Sequence, residues 1–567
     1  MLLSNLNLLA TASGGVARLR ELILTLAVQG KLVPQDASDE PASVLLAKIR
    51  AEKDWLVAEG KIKRDKPAEI AKEEKVFELP VGWEWSTLAT VGVINPRNDA
   101  SDDVMASFVQ MSSIPVAFSD AHITEPRPWR DIKSGFTQFA EGDVGVAKIT
   151  PCFENGKSTV FQNLSNCIGA GTTELHIVRP LGGIAPRYVL LFLKTPRFLV
   201  EGEAAMTGSA GQKRLPRSYF ENKPFPLPPL TEQSRIVTRV EELMRLCDAL
   251  EAKGRLEAAQ HAQLVSTLLA TLTESATPEA LAENWQRIAT HFDLLLDRPE
   301  AVDALEQTLL QLAVRGLLVP QDPADEPASA LLQKIRAEKD RLIAEGKIKR
   351  DKPLPPIADD EMPFELPRGW EWLRFGDVAL ISSGVTLGRK TPIASPILLP
   401  YLRVANVQRW HLNLASMKEV VIGRTELERF QISDGDLLIT EGGDWDKVGR
   451  TAIWRNELPT CVHQNHVFKA RGTSTDWNPV WAELYLNSAI ARSYFASAAK
   501  QTTNLASINM TQLKNCVFPI PPLAEQSRIV ARVESLRRLC ADLRQRLTAS
   551  QTTQAHLAEA LVETAGA

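Results

Sequence analysis

Several things are scarce in this 567-residue sequence, and each scarcity excludes a class. The six cysteines, Cys152, Cys167, Cys247, Cys461, Cys516 and Cys540, show no C-x-x-C spacing and no paired histidines nearby. Neither a zinc site nor a disulfide framework is indicated. Apolar runs such as Tyr188 to Phe192 fall far short of the roughly 18–20 residues a membrane span needs. The N-terminal stretch MLLSNLNLLATASGG has no Lys or Arg before Arg18, so it does not read as a secretory leader, and the cytoplasm is the expected compartment. Neither sign of charge dominates: 65 Lys+Arg stand against 69 Asp+Glu. There is no basic tail, so composition neither announces nor excludes nucleic acid. With 44% hydrophobic and 24% charged residues the chain is of globular type, and its length predicts several domains at roughly 100–200 residues each.

Catalytic signatures are also missing. Asn155 to Ser158 reads NGKS, like the end of a phosphate-binding loop, but Pro151 stands where that loop needs glycine. In GDLLITEGGDWDK, from Gly435, the acid-x-Lys ending of a metal-dependent nuclease fails because Trp445 lies two before Lys447. No glycine-rich dinucleotide loop, Asn-Pro-Pro-aromatic tetrapeptide, G-x-S-x-G or H-E-x-x-H is present. The chain reads as one that binds.

What is present is a repeat. Leu26 to Pro67 returns as Leu312 to Pro353, identical at 34 of 42 positions with an offset of 286. FELPVGWEW from Phe77 returns as FELPRGWEW from Phe364. PPLTEQSRIVTRVEELMRLC, ending at Cys247, returns as PPLAEQSRIVARVESLRRLC, ending at Cys540, now at an offset of 293. Between these blocks lie Ser86 to Phe225 and Leu373 to Phe518, with almost no resemblance to one another. A duplicated frame thus carries two different inserts, which implies pseudo-twofold symmetry and related tasks on different targets.

Within the frame, Ile529, Val533, Leu536, Cys540, Leu543 and Leu547 alternate steps of four and three, as do Ile236, Val240, Leu243, Cys247 and Leu250 before Gly254 interrupts. Both runs predict long helices that pair as a coiled coil through these positions. The repeated block predicts an apolar helix over 19–28, ended at Gly30, and a charged helix over 43–60, with copies at 305–314 and 329–346. KIKRDKP, from Lys61 and again from Lys347, reads as a solvated linker. The inserts, with short alternating runs cut by Gly, Pro and Asn, predict mixed α/β modules rich in short strands. Each opens at a Gly-Trp-x-Trp corner (Trp83 and Trp85; Trp370 and Trp372) expected to serve the core. The fold class is α+β, divided as 1–76 helical frame, 77–228 first insert domain, 229–275 central long helix, 276–363 second frame copy, 364–521 second insert domain and 522–567 C-terminal long helix.

The duplicated frame, the ELP-x-GW-E-W opening and the PPL-x-EQ-x-RIV close resemble the specificity subunits of type I restriction-modification systems over nearly the whole chain. Within that family the first insert resembles one target-recognition pattern (GDVGVAKITPCFENGKSTV from Gly142, GTTELHIVRP from Gly171, TGSAGQKRLP from Thr207). The second resembles another (EGGDWDKVGRTAIW from Glu441, CVHQNHVFKAR from Cys461). The resemblance implies two target-recognition domains on antiparallel helices, each reading half of a split double-stranded DNA site. It implies two modification subunits using S-adenosylmethionine to methylate adenine and two ATP-driven, Mg-requiring restriction subunits, with no cofactor or metal held by this chain. The block 26–67 and its copy depart from the simplest family layout.

Net charge is only +1 for the first insert and +4 for the second, so DNA contact must rest on local groups. Side chains able to pair with bases or hold phosphate are Lys148, Lys157, Gln212, Lys213 and Arg214 in the first, and Lys447, Arg450, His463, Gln464, Asn465 and Lys500 in the second. Gln212 to Arg214 follow a Gly-Ser-Ala-Gly turn that permits close approach to a backbone. Glu174 and Asn465 suit buried organisers as well as readers, and His463 with His466 lacks the partners of a metal site. The residues leave open one alternative of another class, a helical scaffold whose inserts bind ligands other than DNA.

Overall fold

A computed structural model describes residues 6–64, 69–209, 211–275, 277–388, 393–443, 447–502 and 505–566. Part of KIKRDKP, Ala210 of the Gly-Ser-Ala-Gly turn and Trp445 lie outside the described residues. The chain divides into two compact units, Met1–Ala258 with Ser550–Ala567, and Ala259–Ala549.

In the first unit the repeated block forms the helices Gly15–Val28 and Ala42–Ala58. The first stops where Gly30 takes φ +70°. A Cβ there would lie 2.4 Å from Pro80 Cγ, so glycine both ends the helix and admits the Pro-Trp corner beneath it. The second unit repeats this with Pro299–Val314, Ala328–Ala344 and Gly316 at φ +73° under Pro367 and Trp370. Trp83 and Trp370 are buried, and each donates its indole N–H to a buried carboxylate, Glu232 or Glu525, on a long helix.

Each insert builds the same four-stranded antiparallel sheet despite its unlike sequence, beside a second sheet of four strands in the first insert and three in the second. In the first, four antiparallel strands run in the order Gly92–Ile94, Leu175–Pro180, Val144–Ala147, Ser158–Val160. In the second the order is Ala379–Ser383, Val467–Gly472, Leu437–Thr440, Thr451–Ile453. Beside each lies a sheet with one parallel pair, Met105–Val109 with Ile168–Gly171, and Pro396–Leu402 with Val462–His463. A Gly-Asp turn opens one central strand in both. Buried Asp143 takes two bonds from Arg179, both at 2.8 Å, and buried Asp436 takes two from Arg471, both at 2.6 Å.

The long helices Leu230–Thr273 and Leu523–Gly566 have 44 residues each, about 66 Å at 1.5 Å per residue. Gly254 does not interrupt the first, because its missing Cβ faces open space and a glycine inside a helix costs only about 1 kcal/mol. The expected single seam is divided among several cores. Ile236, Val240 and Cys247, with Leu243 packed against them, join the core of the first insert and the helix Gly15–Val28, and Leu250 is half-buried. Ile529 and Val533 join the corresponding core of the second unit. Leu536, Cys540, Leu543 and Leu547 pack with Val265, Leu269 and Leu272 from the end of the first long helix, but also with Val302, Leu305 and Leu309. In the first unit Leu9 and Ala12 meet Ala558 and Val562. An a/d pattern defines an apolar face, and here insert and frame helices compete for that face.

Candidate nucleic-acid interface

The two units carry the same tip at the end of the central strand. After Val144–Ala147 comes Lys148, whose N–H donates to Glu174 O at 2.9 Å and whose carbonyl accepts from Leu215 N at 2.7 Å. After Leu437–Thr440 comes Glu441, whose N–H donates to His466 O at 3.0 Å and whose carbonyl accepts from Ile508 N at 2.9 Å. The residue numbers differ by 293 along this strand and hairpin and by 292 along its neighbour, so Lys148 and Glu441 occupy one position of a duplicated scaffold. Beside each tip stands a hairpin of equal length, closed by Thr207 with Arg214 and by Lys500 with Ser507.

In the first tip Arg214 grips Glu174 with two N–H groups, Nη2 to Oε1 at 2.8 Å and Nε to Oε2 at 3.0 Å. That bond holds the Glu174 carboxyl below its ordinary range and raises the Arg214 guanidinium. The pair is half-exposed, so it contributes little to stability, yet it fixes the direction of the guanidinium. Gln212 and Lys213 project into solvent at the hairpin end. Gly208 at φ +130°, where a Cβ would lie 2.9 Å from Gln212 O, allows that turn. Lys148 is half-buried next to Glu174. Four of the five first-insert candidates therefore gather at one tip.

Lys157 does not. Its ammonium donates to Met111 O at 2.8 Å, tying two loops together. Nearby, Lys194, which no motif signals, is buried and donates to Val116 O at 2.6 Å and Gly156 O at 2.9 Å, burial pushing its pKa down to about 7. At the matching position Asn487 holds Thr451 through both backbone groups, donating to its O at 2.8 Å and accepting from its N at 3.2 Å. These residues brace the loops around the tip.

In the second tip Glu441 Oε2 accepts from His466 Nδ1 at 2.7 Å, and Lys500 is exposed on the hairpin. Asn465 and Gln464 are half-buried next to His466, their N–H groups donating to Val385 O at 3.0 Å and Leu402 O at 2.9 Å. Arg450 donates to Gln408 Oε1 at 2.7 Å, and the carbonyl of Lys447 accepts from Thr440 Oγ1 at 2.7 Å. His463 is fully buried: Nδ1 donates to Val467 O at 2.7 Å, and desolvation lowers its pKa to about 4. It is a neutral core histidine, out of reach of a base edge. Sequence reading passed over Glu441, and the signal that finds it is the Gly142-Asp143 and Gly435-Asp436 match at an offset of 293.

Among the described residues no group of three or more His, Cys, Asp or Glu could hold a metal ion, and no helix is long and apolar enough to cross a membrane. A family model described as the type I restriction modification DNA specificity domain matches residues 172–261 and 367–550. The type I restriction enzyme EcoEI specificity subunit of Escherichia coli is 45% identical over 562 residues, covering 97% of this chain and 94% of that protein. This chain belongs to the type I restriction enzyme specificity subunits. The EcoAI specificity subunit, also of Escherichia coli, is 46% identical over 563 residues with the same coverage. A solved chain from work on complex assembly and conformational transition of the type I R-M system shares the fold, with a TM-score of 0.51 at 18% identity over 86% of this chain and 99% of that one. In this member of the family the duplicated frame and its paired tips are one scaffold used twice, with different side chains at the two tips.

Proposed function

We propose that this specificity subunit is a non-catalytic reader of double-stranded DNA in which each insert recognises one half of a split site. The observation that carries the reading is the matched pair of tips. Hydrogen-bond register and hairpin length are the same in both, while the solvent-accessible groups differ: half-buried Lys148 with exposed Gln212, Lys213 and Arg214 in one, half-buried Glu441 with exposed His466 and Lys500 in the other. Exposed donors at the end of a hairpin suit phosphate and guanine contacts. Two unlike tips suit two unlike half-sites.

The repeated frame supports a second part of the reading, that two copies of one modification subunit are held alike. Both copies expose the same cations, Arg50 and Arg336 among them, and repeat the pairs Lys48 with Glu40 and Lys334 with Glu326. In the assembled enzyme S-adenosylmethionine would serve adenine methylation on those subunits, and ATP and Mg the two restriction subunits. Both long helices contribute residues to both units.

A single-molecule methylation map of DNA from cells expressing this chain with its companion modification subunit tests the reading. A split adenine-methylated motif that needs both proteins is the expected result. A stable complex that leaves no motif and binds DNA without sequence preference at any salt concentration would favour the scaffold alternative.

A further inference from the structure

We propose that Glu441 is a specificity-determining acceptor of the second unit, selecting a base that presents an exocyclic amino group, cytosine N4 or adenine N6. The assignment rests on the reading that the inserts recognise DNA and goes further by naming the chemistry of one contact.

Glu441 and Lys148 stand at one backbone position with opposite charge. Around them the scaffold is kept: Asp143 with Arg179 matches Asp436 with Arg471, and Tyr188 OH to Pro226 O at 2.9 Å matches Trp481 Nε1 to Pro519 O at 3.0 Å. What changes at the tip is therefore not required by the fold. A lysine there can meet phosphate or a purine acceptor edge. A carboxylate in the same place is repelled by phosphate, a cost recovered only if it accepts from a donor, and amino groups on base edges are the donors DNA offers.

The carboxylate is also prepared for one contact. His466 Nδ1 donates to Oε2, and no bond to Oε1 is present among the described residues. The side chain is 28% exposed, enough to reach a ligand while the histidine fixes its rotamer. Lys500, exposed on the adjoining hairpin, offers a cation to a neighbouring phosphate. In the first tip the carboxylate of Glu174 is instead occupied by Arg214, leaving that surface rich in donors.

The test uses the full complex with its modification subunit, comparing wild type, Glu441→Ala, Glu441→Gln and Lys148→Ala by methylation of a library randomised across both half-sites. Glu441→Ala is expected to lose about 10-fold or more of the discrimination at one position of the second half-site, leaving the first intact. Glu441→Gln, which keeps a carbonyl acceptor and the side-chain size, is expected to retain the preferred base with a smaller ratio, and Lys148→Ala to act on the first half-site alone. Unchanged motifs in both Glu441 variants, or a rate lowered equally for every sequence, overturns the assignment. A wild-type complex with no split motif overturns the recognition reading itself, a result distinguishable because it precedes any substitution.

Discussion

Trp83 donates its indole Nε1–H to Oε2 of Glu232 at 2.9 Å, joining the corner that opens the first insert to the start of a long helix. Gln35, from the repeated block, donates to Oε1 of the same carboxylate at 2.8 Å. Burial raises the Glu232 pKa and these two bonds oppose it, so the carboxylate depends on both donors. Trp83→Phe removes one donor and should lower unfolding free energy by about 1–3 kcal/mol, measured by chemical denaturation. No change would mean that the bond contributes nothing to holding insert and helix together.

Two glycines should respond in opposite senses. Gly316→Ala places a Cβ 2.6 Å from Pro367 Cγ at φ +73°, and a loss of more than about 1 kcal/mol is expected. Gly254→Ala adds a methyl group in open space inside a helix and should stabilise by about 0.5–1 kcal/mol. Melting curves of the two variants check both signs.

Leu269 is buried with Leu272, Cys540 and Leu305 where both long helices and a frame helix meet. Leu269→Ala should cost about 2–5 kcal/mol by thermal or chemical unfolding. Leu264, 52% exposed on the same helix, should tolerate alanine within about 0.5 kcal/mol.

His463 makes a prediction about acid. Its pKa is about 4 in the folded chain against an ordinary 6.5, so between these values the unfolded chain binds the extra proton. Its contribution is present in full above pH 6.5 and is lost as pH falls toward 4, by up to about 3 kcal/mol. Melting temperature against pH should flatten across that window in His463→Gln. A slope identical to wild type would show that other groups govern the acid limb.

Lys213 is exposed at the end of its hairpin. Lys213→Ala should weaken DNA binding by the complex about equally for all sequences and reduce the slope of log affinity against log salt by about 1. A changed base preference at the first half-site would make Lys213 a base reader instead.

The duplication, the long helices and the helical block were legible because near-identical strings and 3–4 spacing survive in the sequence. The partner of each apolar face was not: Ile236 and Ile529 satisfy a heptad, but a heptad cannot say whether an insert core or another helix covers it. The likeness of the inserts was hidden because what the fold needs is sparse, chiefly a Gly-Asp turn and an arginine one strand away. At the tips, Lys148, Gln212, Lys213 and Arg214, chosen for donor chemistry, lie at one hairpin end. Polarity alone misplaced His463, whose imidazole is enclosed by the strand pair it helps to close, and it passed over Glu441 because an acid is an unexpected neighbour for DNA.

The pairing of Arg18 with Glu559 at 2.7 Å spans 541 residues and lies within the first unit. On the ribosome that unit is therefore the earlier to emerge and the later to be finished: Leu9 and Ala12 must wait for Ala558 until the whole second unit has been synthesised. A chain released at residue 549 would hold every residue of the second unit, while Leu9 and Ala12 of the first still lacked Ala558 and Val562 to cover them, leaving apolar surface for a chaperone to capture.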